Sequence, residues 1–185
     1  MTHSPRVLLD AKKISLIIDR MCHELIERHG NFSNAVLLGI QPRGTFFSDK
    51  IFERLNKISK ANHLKYGKID PTFYRDDFRF NDNLILPNTI ELDFELDKKD
   101  VILVDDVFFT GRTVRAAMDA LLDYGRPDKV ELLVLIDRRF NRHLPIQADF
   151  VGKTVDSVIS EKVKVVWKGE GVKEDQVILF ESEEK

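Results

Sequence analysis

The sequence has little cysteine, no long apolar run and almost no net charge, and each shortage excludes a class of protein. The single Cys22 among 185 residues cannot form an internal disulfide, so a reducing cytoplasm is the expected location. No signal peptide and no apolar stretch long enough to span a bilayer is found, which predicts no membrane partner. A formal charge of −2 excludes a polyanion binder that uses its whole surface, although a local basic face remains compatible with it.

Two common nucleotide-binding motifs are also missing. No Gly-x-x-x-x-Gly-Lys precedes a predicted helix, and no Gly-x-Gly-x-x-Gly follows a predicted strand, so ATP-type and dinucleotide sites lack support. Internal repeats and low-complexity tracts are absent as well. A chain of 185 residues with 43% hydrophobic content is long enough to bury one sizeable core, and we expect residues 1–185 to form a single domain.

The most informative stretch of the chain is an apolar run that ends in two acids. Val101–Val104 is four aliphatic residues long, which is typical of a strand buried on both faces, and Asp105 and Asp106 follow directly. A Thr-Gly turn then leads into a helical pattern over residues 114–124. The sequence therefore predicts a strand, a loop and a helix, with paired carboxylates where the strand ends.

This loop has the residues that a phosphate site needs. Backbone N–H groups and a helix N-terminus attract a dianion, Gly111 allows close approach of the backbone, and Thr110 and Thr113 add hydroxyl donors. The acids Asp105 and Asp106 would repel a phosphate, but they suit vicinal hydroxyls, held directly or through a divalent cation. The alternative interpretation is an ordinary turn whose acids cap the helix.

Four hydrophobic residues, two acids and a Thr-Gly-x-Thr loop resemble the signature of the type I phosphoribosyltransferases, which use phosphoribosyl pyrophosphate (PRPP). The resemblance implies an α/β fold with a mostly parallel central sheet flanked by helices and a small hood from the C-terminal region. It also implies Mg²⁺ as cofactor, bound with PRPP by Asp105 and Asp106, which are the expected catalytic acids. The residues expected to bind the 5-phosphate of PRPP are Phe109, Thr110, Gly111, Arg112 and Thr113.

A second strand, loop and helix precede the first. The apolar run 35–40 predicts a core strand, and residues 45–59 predict a helix. In the resembled family the loop between them receives pyrophosphate; taken alone, it reads as an ordinary Pro-Arg-Gly turn. The isomer of the Gln41–Pro42 bond is left open. The residues that we assign to pyrophosphate are Gln41, Pro42, Arg43, Gly44 and, from the next segment, Arg75.

Residues 67–86 are polar and weakly periodic, apart from a possible short strand at 72–75. Long irregular connections in compact domains are often lids. In type I enzymes the corresponding segment closes over PRPP, and we expect the same here, with Arg75 as a catalytic residue and Arg79 as a weaker candidate. The alternative is a surface loop with scattered charges.

The remaining patterns predict strands that alternate with helices, which is typical of a parallel sheet whose carboxyl ends form the binding edge. The hood is expected mainly from residues 141–185. A further helix is predicted over residues 10–29, with Asp10 as N-cap and Gly30 as its end. Further strands are predicted over residues 89–94, 130–136, 162–167 and 176–180.

Within the family, the chain is most similar to the bifunctional pyrimidine-operon attenuators, which also have uracil phosphoribosyltransferase activity. This resemblance implies uracil and PRPP as substrates, with UMP and pyrophosphate as products, and Asp137, Arg138 and Val151 beside the base. Asp137 stands where 6-oxopurine enzymes have a lysine that meets the exocyclic oxygen, and an ionised carboxylate cannot donate there, which favours a pyrimidine. Transfer to hypoxanthine or guanine is the alternative. The matching residues are 23–28, 74–77, 101–117, 119–121, 125–127, 144–146, 148–153 and 160–163.

The same resemblance implies a homodimer or larger homo-oligomer that binds leader RNA. His23, Arg28 and Lys153 match the RNA-binding face, and residues 138–143 include a basic cluster. Asp19 and Gln147, however, stand where a threonine and an arginine are typical, and both changes weaken attraction to phosphate. A regulator with little catalysis is therefore a second interpretation.

Overall fold

The computed structural model describes residues 5–59, 63–75, 92–140, 142–158, 160–168 and 170–181. Its strands form two sheets, one parallel with five strands and one antiparallel with three. The strands are β1 (Arg6–Leu9), β2 (Ala35–Ile40), β3 (Lys65–Ile69), β4 (Asp100–Phe108), β5 (Lys129–Arg139), β6 (Phe150–Asp156), β7 (Glu161–Val166) and β8 (Gln176–Glu181).

The order of strands is β3-β2-β4-β5-β6 in the parallel sheet and β1-β8-β7 in the antiparallel sheet, which we call the hood. The helices begin and end where the sequence indicates. For the first helix, the Asp10 carboxylate accepts the Lys13 N–H at 2.8 Å, and Gly30 ends it with a positive φ of 59°. The helices are α1 (Ala11–His29), α2 (Gly44–Ser59) and α3 (Arg112–Leu121), and single 3-10 turns cover Thr72–Tyr74 and Leu122–Tyr124.

Helices cover both faces of the parallel sheet. Side chains of α1 and α2 such as Met21, Leu25 and Phe47 fill one core, and α3 residues such as Val114 and Ala117 fill the other. Because β2 and β4 are covered on both sides, they are apolar without alternation, as the sequence predicted. None of the helices in the described ranges is long and apolar enough to cross a membrane.

Cys22 is a buried structural thiol. Its side chain is fully buried between α1 and α2, and its sulfur contacts the Ile51 carbonyl at 3.8 Å. Burial raises the pKa of Cys22 to about 12, so the thiol stays neutral and unreactive at neutral pH.

The hood is joined to the parallel sheet by a short connection. The chain passes from β1 in the hood to α1 on the parallel sheet through Asp10 alone. On the other side of the hood, Trp167 stacks on Phe47 of α2, with ring centroids 6.1 Å apart. The hood therefore rests directly on α2, the helix that follows the predicted pyrophosphate loop.

Two strands are longer than their apolar runs predicted. β4 continues through Asp105 and Asp106 to Phe108, and β5 continues through Asp137 to Arg139. The two extensions pair in register, Phe108 with Asp137, so backbone hydrogen bonding carries each strand past the point where its apolar pattern stops. The acids lie within the strand ends rather than in the loops.

The segment from residue 67 differs most from its prediction. Residues 67–69 belong to β3, and the predicted strand at 72–75 is wrong. Pro71 and the Asp70 carboxylate, which accepts the Thr72 N–H at 2.9 Å, start a 3-10 turn there. The rest of the predicted lid, residues 76–86 with Arg79, lies outside the described residues.

Two other boundaries also change. Of the predicted strand at 89–94, only residues 92–94 are described, and they form no strand. The hood was expected mainly from residues 141–185, but β6 in this range is an edge strand of the parallel sheet, paired with β5. β6 has few apolar residues in sequence because an edge strand is only partly covered.

Candidate active site

Asp105 and Asp106 lie near the carboxyl end of the central strand β4, where ligands bind in sheets of this type. Both are buried, with 8% and 4% of their surface exposed. The Asp105 carboxylate accepts the backbone N–H of Asp106 at 2.9 Å, and Asp106 Oδ2 accepts Arg43 Nε–H at 3.1 Å. Two adjacent carboxylates thus sit at the binding edge, one of them ion-paired to a predicted site residue.

The surroundings of the two carboxylates disfavour their ionisation. Burial, followed by the neighbouring charge of Asp106, raises the pKa of Asp105 well above its usual range. Burial also raises the pKa of Asp106, and the nearby Arg43 guanidinium offsets part of that rise. A site whose acids resist ionisation gains free energy when a cation or hydroxyl donors approach them.

The predicted phosphate loop is a turn that leads directly into α3. Gly111 is the N-cap of α3 and has φ of 91°, a left-handed conformation that only glycine adopts without strain. Thr110 precedes it, and Arg112 and Thr113 form the first turn of α3, so the expected donors do lie at a helix N-terminus. Phe109 lies face-on to the Arg138 guanidinium, 3.9 Å away.

The predicted pyrophosphate loop follows β2, beside the acid pair. The Gln41–Pro42 bond is cis, which answers the question that the sequence left open. A Cβ at Gly44 would lie 2.4 Å from the Val104 carbonyl oxygen and 3.1 Å from Asp105 Cα, so only glycine permits this approach. The loop and the acid pair are therefore in direct contact.

Arg43 connects the acid pair to the hood. Besides its pair with Asp106, its Nη1 donates to Glu170 at 2.9 Å and its Nη2 donates to the Val165 carbonyl. The Glu170 carboxylate is itself oriented by the Trp167 N–H at 2.9 Å. Arg43 lies at the predicted place, but its present partners are protein groups that a pyrophosphate would have to replace.

Arg75 is also placed near the acids, because its charge lowers the pKa of Asp105. It directly follows the Thr72–Tyr74 turn. Arg115 of α3 donates to the Tyr74 carbonyl at 3.2 Å, and the Tyr74 hydroxyl bonds Asp123, so the turn is fixed to the α3 layer. The structure thus brings Arg43 and Arg75, from different segments, to one acid pair.

Asp137 is one of the three residues predicted to contact the base. It lies at the end of β5 and lines a cavity of about 700 Å³ beside the phosphate loop. Arg138 is buried and cross-links β5 to the hood, donating to Ser157 at 2.9 Å and to the Glu161 carbonyl at 2.7 Å. Val151 is half-buried, and its carbonyl accepts Arg20 Nη2–H at 2.9 Å. The structure gives Arg138 a structural contact instead of a free face toward a base.

The residues predicted to bind RNA also differ in their intramolecular contacts. His23 on α1 and Lys153 on β6 are exposed. Arg28 is exposed as well, but its guanidinium pairs with the buried Glu131 and lies 5.5 Å from the Phe150 ring centroid. Asp19, an acid where a threonine is typical, is ion-paired with Arg54 of α2.

Sequence reasoning missed two residues at the site, Glu170 and Arg142. Glu170 lies in a turn after β7 with no motif around it, so only the tertiary contact with Arg43 reveals it. Arg142 was recognised merely as part of a basic cluster, whereas its guanidinium bonds Asp137 at 2.5 Å and the Phe109 carbonyl.

Comparison with known proteins agrees with this geometry. Residues 6–175 match the family model of the phosphoribosyl transferase domain. Among curated proteins, the chain is 41% identical over 179 residues to the bifunctional protein PyrR of Bacillus mycoides, covering 95% of this chain and 97% of the relative. It is 42% identical over 177 residues to the bifunctional protein PyrR of Bacillus cereus, with the same coverage.

Solved structures share the fold at low identity. A hypoxanthine-guanine phosphoribosyltransferase of Bacillus anthracis superposes with a TM-score of 0.69 at 13% identity, covering 98% of this chain and 99% of the other. The hypoxanthine phosphoribosyltransferase of Trypanosoma cruzi gives 0.68 at 15% identity, covering 96% and 97%. With the domain match and the close relatives, these findings show that the chain belongs to the phosphoribosyltransferase family, in the group of the bifunctional PyrR proteins.

Proposed function

We propose that this protein transfers ribose 5-phosphate from PRPP to uracil, forming UMP and releasing pyrophosphate. One observation carries the proposal. The buried Asp105 and Asp106, whose pKa values are raised, lie between the N-terminus of α3, which Gly111 caps, and the loop that contributes Arg43. That arrangement matches a sugar phosphate with a leaving group, and the family membership of the chain supports the same chemistry.

Each part of PRPP has a matching group. The N–H groups at the start of α3 and the hydroxyls of Thr110 and Thr113 bind the 5-phosphate dianion. Asp105 and Asp106 accept hydrogen bonds from the ribose hydroxyls, which relieves the poor solvation of the two carboxylates. The diol and the phosphate are thus held by adjacent parts of one strand, loop and helix.

The reaction breaks the bond between C1′ and the pyrophosphate oxygen, and it forms a bond from C1′ to uracil N1, whose proton goes to solvent. Positive charge develops on the sugar as pyrophosphate leaves, as in other glycosyl transfers. Asp105 and Asp106 stabilise that charge electrostatically. Arg43 and Arg75 bind the departing pyrophosphate, for which Arg43 exchanges its contacts with Asp106 and Glu170.

The residues present also fit Mg²⁺, which phosphoribosyltransferases of this fold generally use with PRPP. Mg²⁺ is commonly held by one or two carboxylates together with substrate phosphates, and Asp105 and Asp106 are such a pair. In the described part of the chain, no group of three or more His, Cys, Asp or Glu side chains forms a site that holds a metal without substrate. When bound, Mg²⁺ offsets negative charge on PRPP and on the leaving pyrophosphate.

Uracil is the favoured base because Asp137, rather than a lysine, stands at the end of β5. An ionised carboxylate accepts hydrogen bonds and therefore does not donate to the exocyclic oxygen of a 6-oxopurine. The solved hypoxanthine enzymes support the fold alone, since they are less than 25% identical to this chain.

A panel of free bases tests the proposal. The protein is mixed with Mg²⁺, PRPP and, in turn, uracil, hypoxanthine or guanine, and pyrophosphate release is measured. We expect turnover with uracil and at most a small percentage of that rate with either purine. Faster turnover with a purine would overturn the choice of base, and no turnover with any base would overturn the enzymatic role.

A second function, binding of pyrimidine leader RNA, is favoured by the bifunctional relatives and by the exposed His23 and Lys153. The likeness of the whole chain to these relatives also favours a homodimer or larger homo-oligomer as the form that binds RNA. Arg138, Arg139 and Arg142 of the basic cluster contribute less, because each already has an intramolecular partner.

Electrophoretic mobility of a labelled leader RNA, measured at 50 and 200 mM salt, tests the second function. Binding through phosphates weakens steeply with salt, and Lys153→Gln lowers affinity with little effect on uracil turnover. Equal binding of leader RNA and an unrelated RNA of the same length would contradict a regulatory role.

A further inference from the structure

We infer that Arg142 is a positioning residue for the phosphate loop, acting from behind the loop on the peptide that joins Phe109 to Thr110. This inference deepens the proposed function and rests on it, since the loop is taken to hold the 5-phosphate. Arg142 follows β5 and lies outside the strand, loop and helix that carry the phosphate site.

The contacts of Arg142 reach three elements at once. Its Nη1 donates to the Phe109 carbonyl, its Nη2 donates to Asp137 Oδ1 at 2.5 Å, and its guanidinium carbon lies 3.4 Å from the centroid of the Phe108 ring. Phe108 is fully buried at the end of β4, so the guanidinium rests on a rigid surface. Arg142 is three-quarters buried. The Phe108 ring, the Asp137 carboxylate and the Phe109 carbonyl together fix the position of its guanidinium.

A trans peptide plane explains how this contact acts on the phosphate side. The C=O and N–H of one peptide point in opposite directions, so an arginine that holds the Phe109 carbonyl turns the Thr110 N–H away from itself. The next peptide is held in the same manner, because the His143 N–H donates to the Thr110 carbonyl at 3.0 Å. The Gly111 N–H is then also turned away, so two consecutive donors face one side.

Asp137 gives this arrangement a second role. The same guanidinium that holds the loop also pairs with Asp137, the residue at the predicted base position, and both lie at the cavity beside the loop. A change of charge or position at Asp137 therefore alters the partner that orients Arg142. The phosphate loop and the base side of the site share one arginine.

The test measures each end of the substrate separately by titration calorimetry, using ribose 5-phosphate for the phosphate loop and pyrophosphate for the other loop. Arg142→Met keeps the apolar stem and removes the donors. Arg139→Met is the matched control, since Arg139 lines the same cavity and pairs with Asp156 on the surface without touching the loop. Thermal unfolding of each variant is recorded alongside.

We expect Arg142→Met to weaken ribose 5-phosphate by about tenfold, the size typical of losing a charge-assisted contact, and to leave pyrophosphate within about twofold. Arg139→Met should leave both within about twofold. The KM for PRPP should rise more than kcat falls, and added methylguanidine should restore part of the loss in Arg142→Ala. Equal effects of the two methionine variants, or equal weakening of both ligands by Arg142→Met, would overturn the inference.

A milder variant covers the case in which Arg142→Met fails to fold. Arg142→Lys keeps the charge but cannot contact the Phe109 carbonyl and Asp137 together, so ribose 5-phosphate should still weaken by about threefold or more. Wild-type affinity in this variant would overturn the inference. A wild-type protein that binds ribose 5-phosphate but does not turn over uracil would contradict the proposed function alone. A protein that turns over uracil, but whose Arg142 variants bind ribose 5-phosphate as tightly as the wild type, would contradict the positioning role alone.

Discussion

Two nearly inaccessible acidic sites lie at opposite ends of the parallel sheet, and they are solvated in opposite ways. Near the amino end of β5, Glu131 is 1% exposed and meets Arg28 Nε at 2.5 Å, Lys129 Nζ at 2.6 Å and His29 Nε2 at 2.8 Å. Near the carboxyl end of β4, two acids share the direct ion pair from Arg43. The first site sets two cations and a histidine against one carboxylate, whereas the second sets Arg43 and the more distant charge of Arg75 against two.

The difference teaches how to separate structural from functional charges in this fold. A buried acid that has several cations of its own contributes to folding and has little left to offer a ligand. A buried acid pair with too little positive charge costs folding free energy and stabilises whatever cation or hydroxyl arrives. The contrast yields four predictions, given from the largest effect to the smallest.

Asp105→Asn should have the largest effect, with opposite signs for activity and stability. We expect kcat/KM to fall by about 1000-fold, because stabilisation of the developing sugar charge is lost. The free energy of unfolding should rise by about 1 to 2 kcal/mol, since the amide oxygen can still accept the Asp106 N–H while the buried charge is gone.

Uracil turnover and urea unfolding measure the two effects of Asp105→Asn. Asp156→Asn, at an exposed acid paired with Arg139, is the control for loss of one negative charge and should keep full activity. A stable Asp105→Asn protein with wild-type turnover would remove the acid pair from the reaction.

Glu131→Ala should show the reverse pattern. Removing the carboxylate leaves His29 and the two cations around it without their partner, and we expect a loss of about 3 kcal/mol in the free energy of unfolding. Protein that remains folded should keep its kcat and its KM for PRPP, because the site lies at the other end of the sheet. Glu131→Gln, which keeps the volume and one acceptor, should lose less in the same urea titration.

The pH dependence of the stability gap between wild type and Asp105→Asn sharpens the comparison. The folded pKa of Asp105 is raised above the unfolded value near 3.8, so the native state binds the proton more tightly than the unfolded state. The wild type should therefore lose stability relative to Asp105→Asn as pH rises from 3.8 to the raised pKa, and the gap should then stay constant. A gap that is present at pH 3 and does not change would show that desolvation of the charge is not its cause.

Arg28→Met should have the smallest effect. Arg28 is about half exposed, so its ion pair with Glu131 is partly screened, and its stacking on Phe150 is a surface cation–π contact. We expect a loss of about 1 kcal/mol by thermal or urea unfolding, with unchanged uracil turnover. Leader RNA affinity, measured in the same preparation, tells whether Arg28 also contacts RNA: a fold-only role leaves it unchanged.

Local patterns predicted the parts of the fold in which each residue's neighbours are close in sequence. Val101–Val104, the Asp10 cap and the Gly111 turn all appear where expected, because burial, capping and positive φ leave direct marks on residue type. The ends of β4 and β5 were placed too early, since strand pairing extends past the apolar run. β3 and β6 were missed because edge strands with Lys, Thr and Gly lack a clear period.

At the candidate site, sequence placed the acids, the predicted phosphate loop and Arg43, because each lies in a compact motif. It did not place Glu170 against Arg43 or Arg142 against Phe109, since those contacts join segments separated by more than 30 residues. Arg138 is a different case. Its predicted place beside the base came from the family resemblance, and its guanidinium is buried against Ser157 and the hood.

The passage from β1 to α1 through Asp10 alone restricts how the hood can move away from the binding edge of the parallel sheet. β1 is hydrogen-bonded along β8, and α1 packs through Met21, Cys22 and Leu25 into the core of the parallel sheet. Only Asp10 separates these two elements, and its carboxylate already caps the helix. The connection therefore has little conformational freedom to act as a hinge. Any outward swing of the hood must therefore either bend the backbone at Asp10 and sacrifice the cap, or drag the nineteen-residue α1 along as a lever.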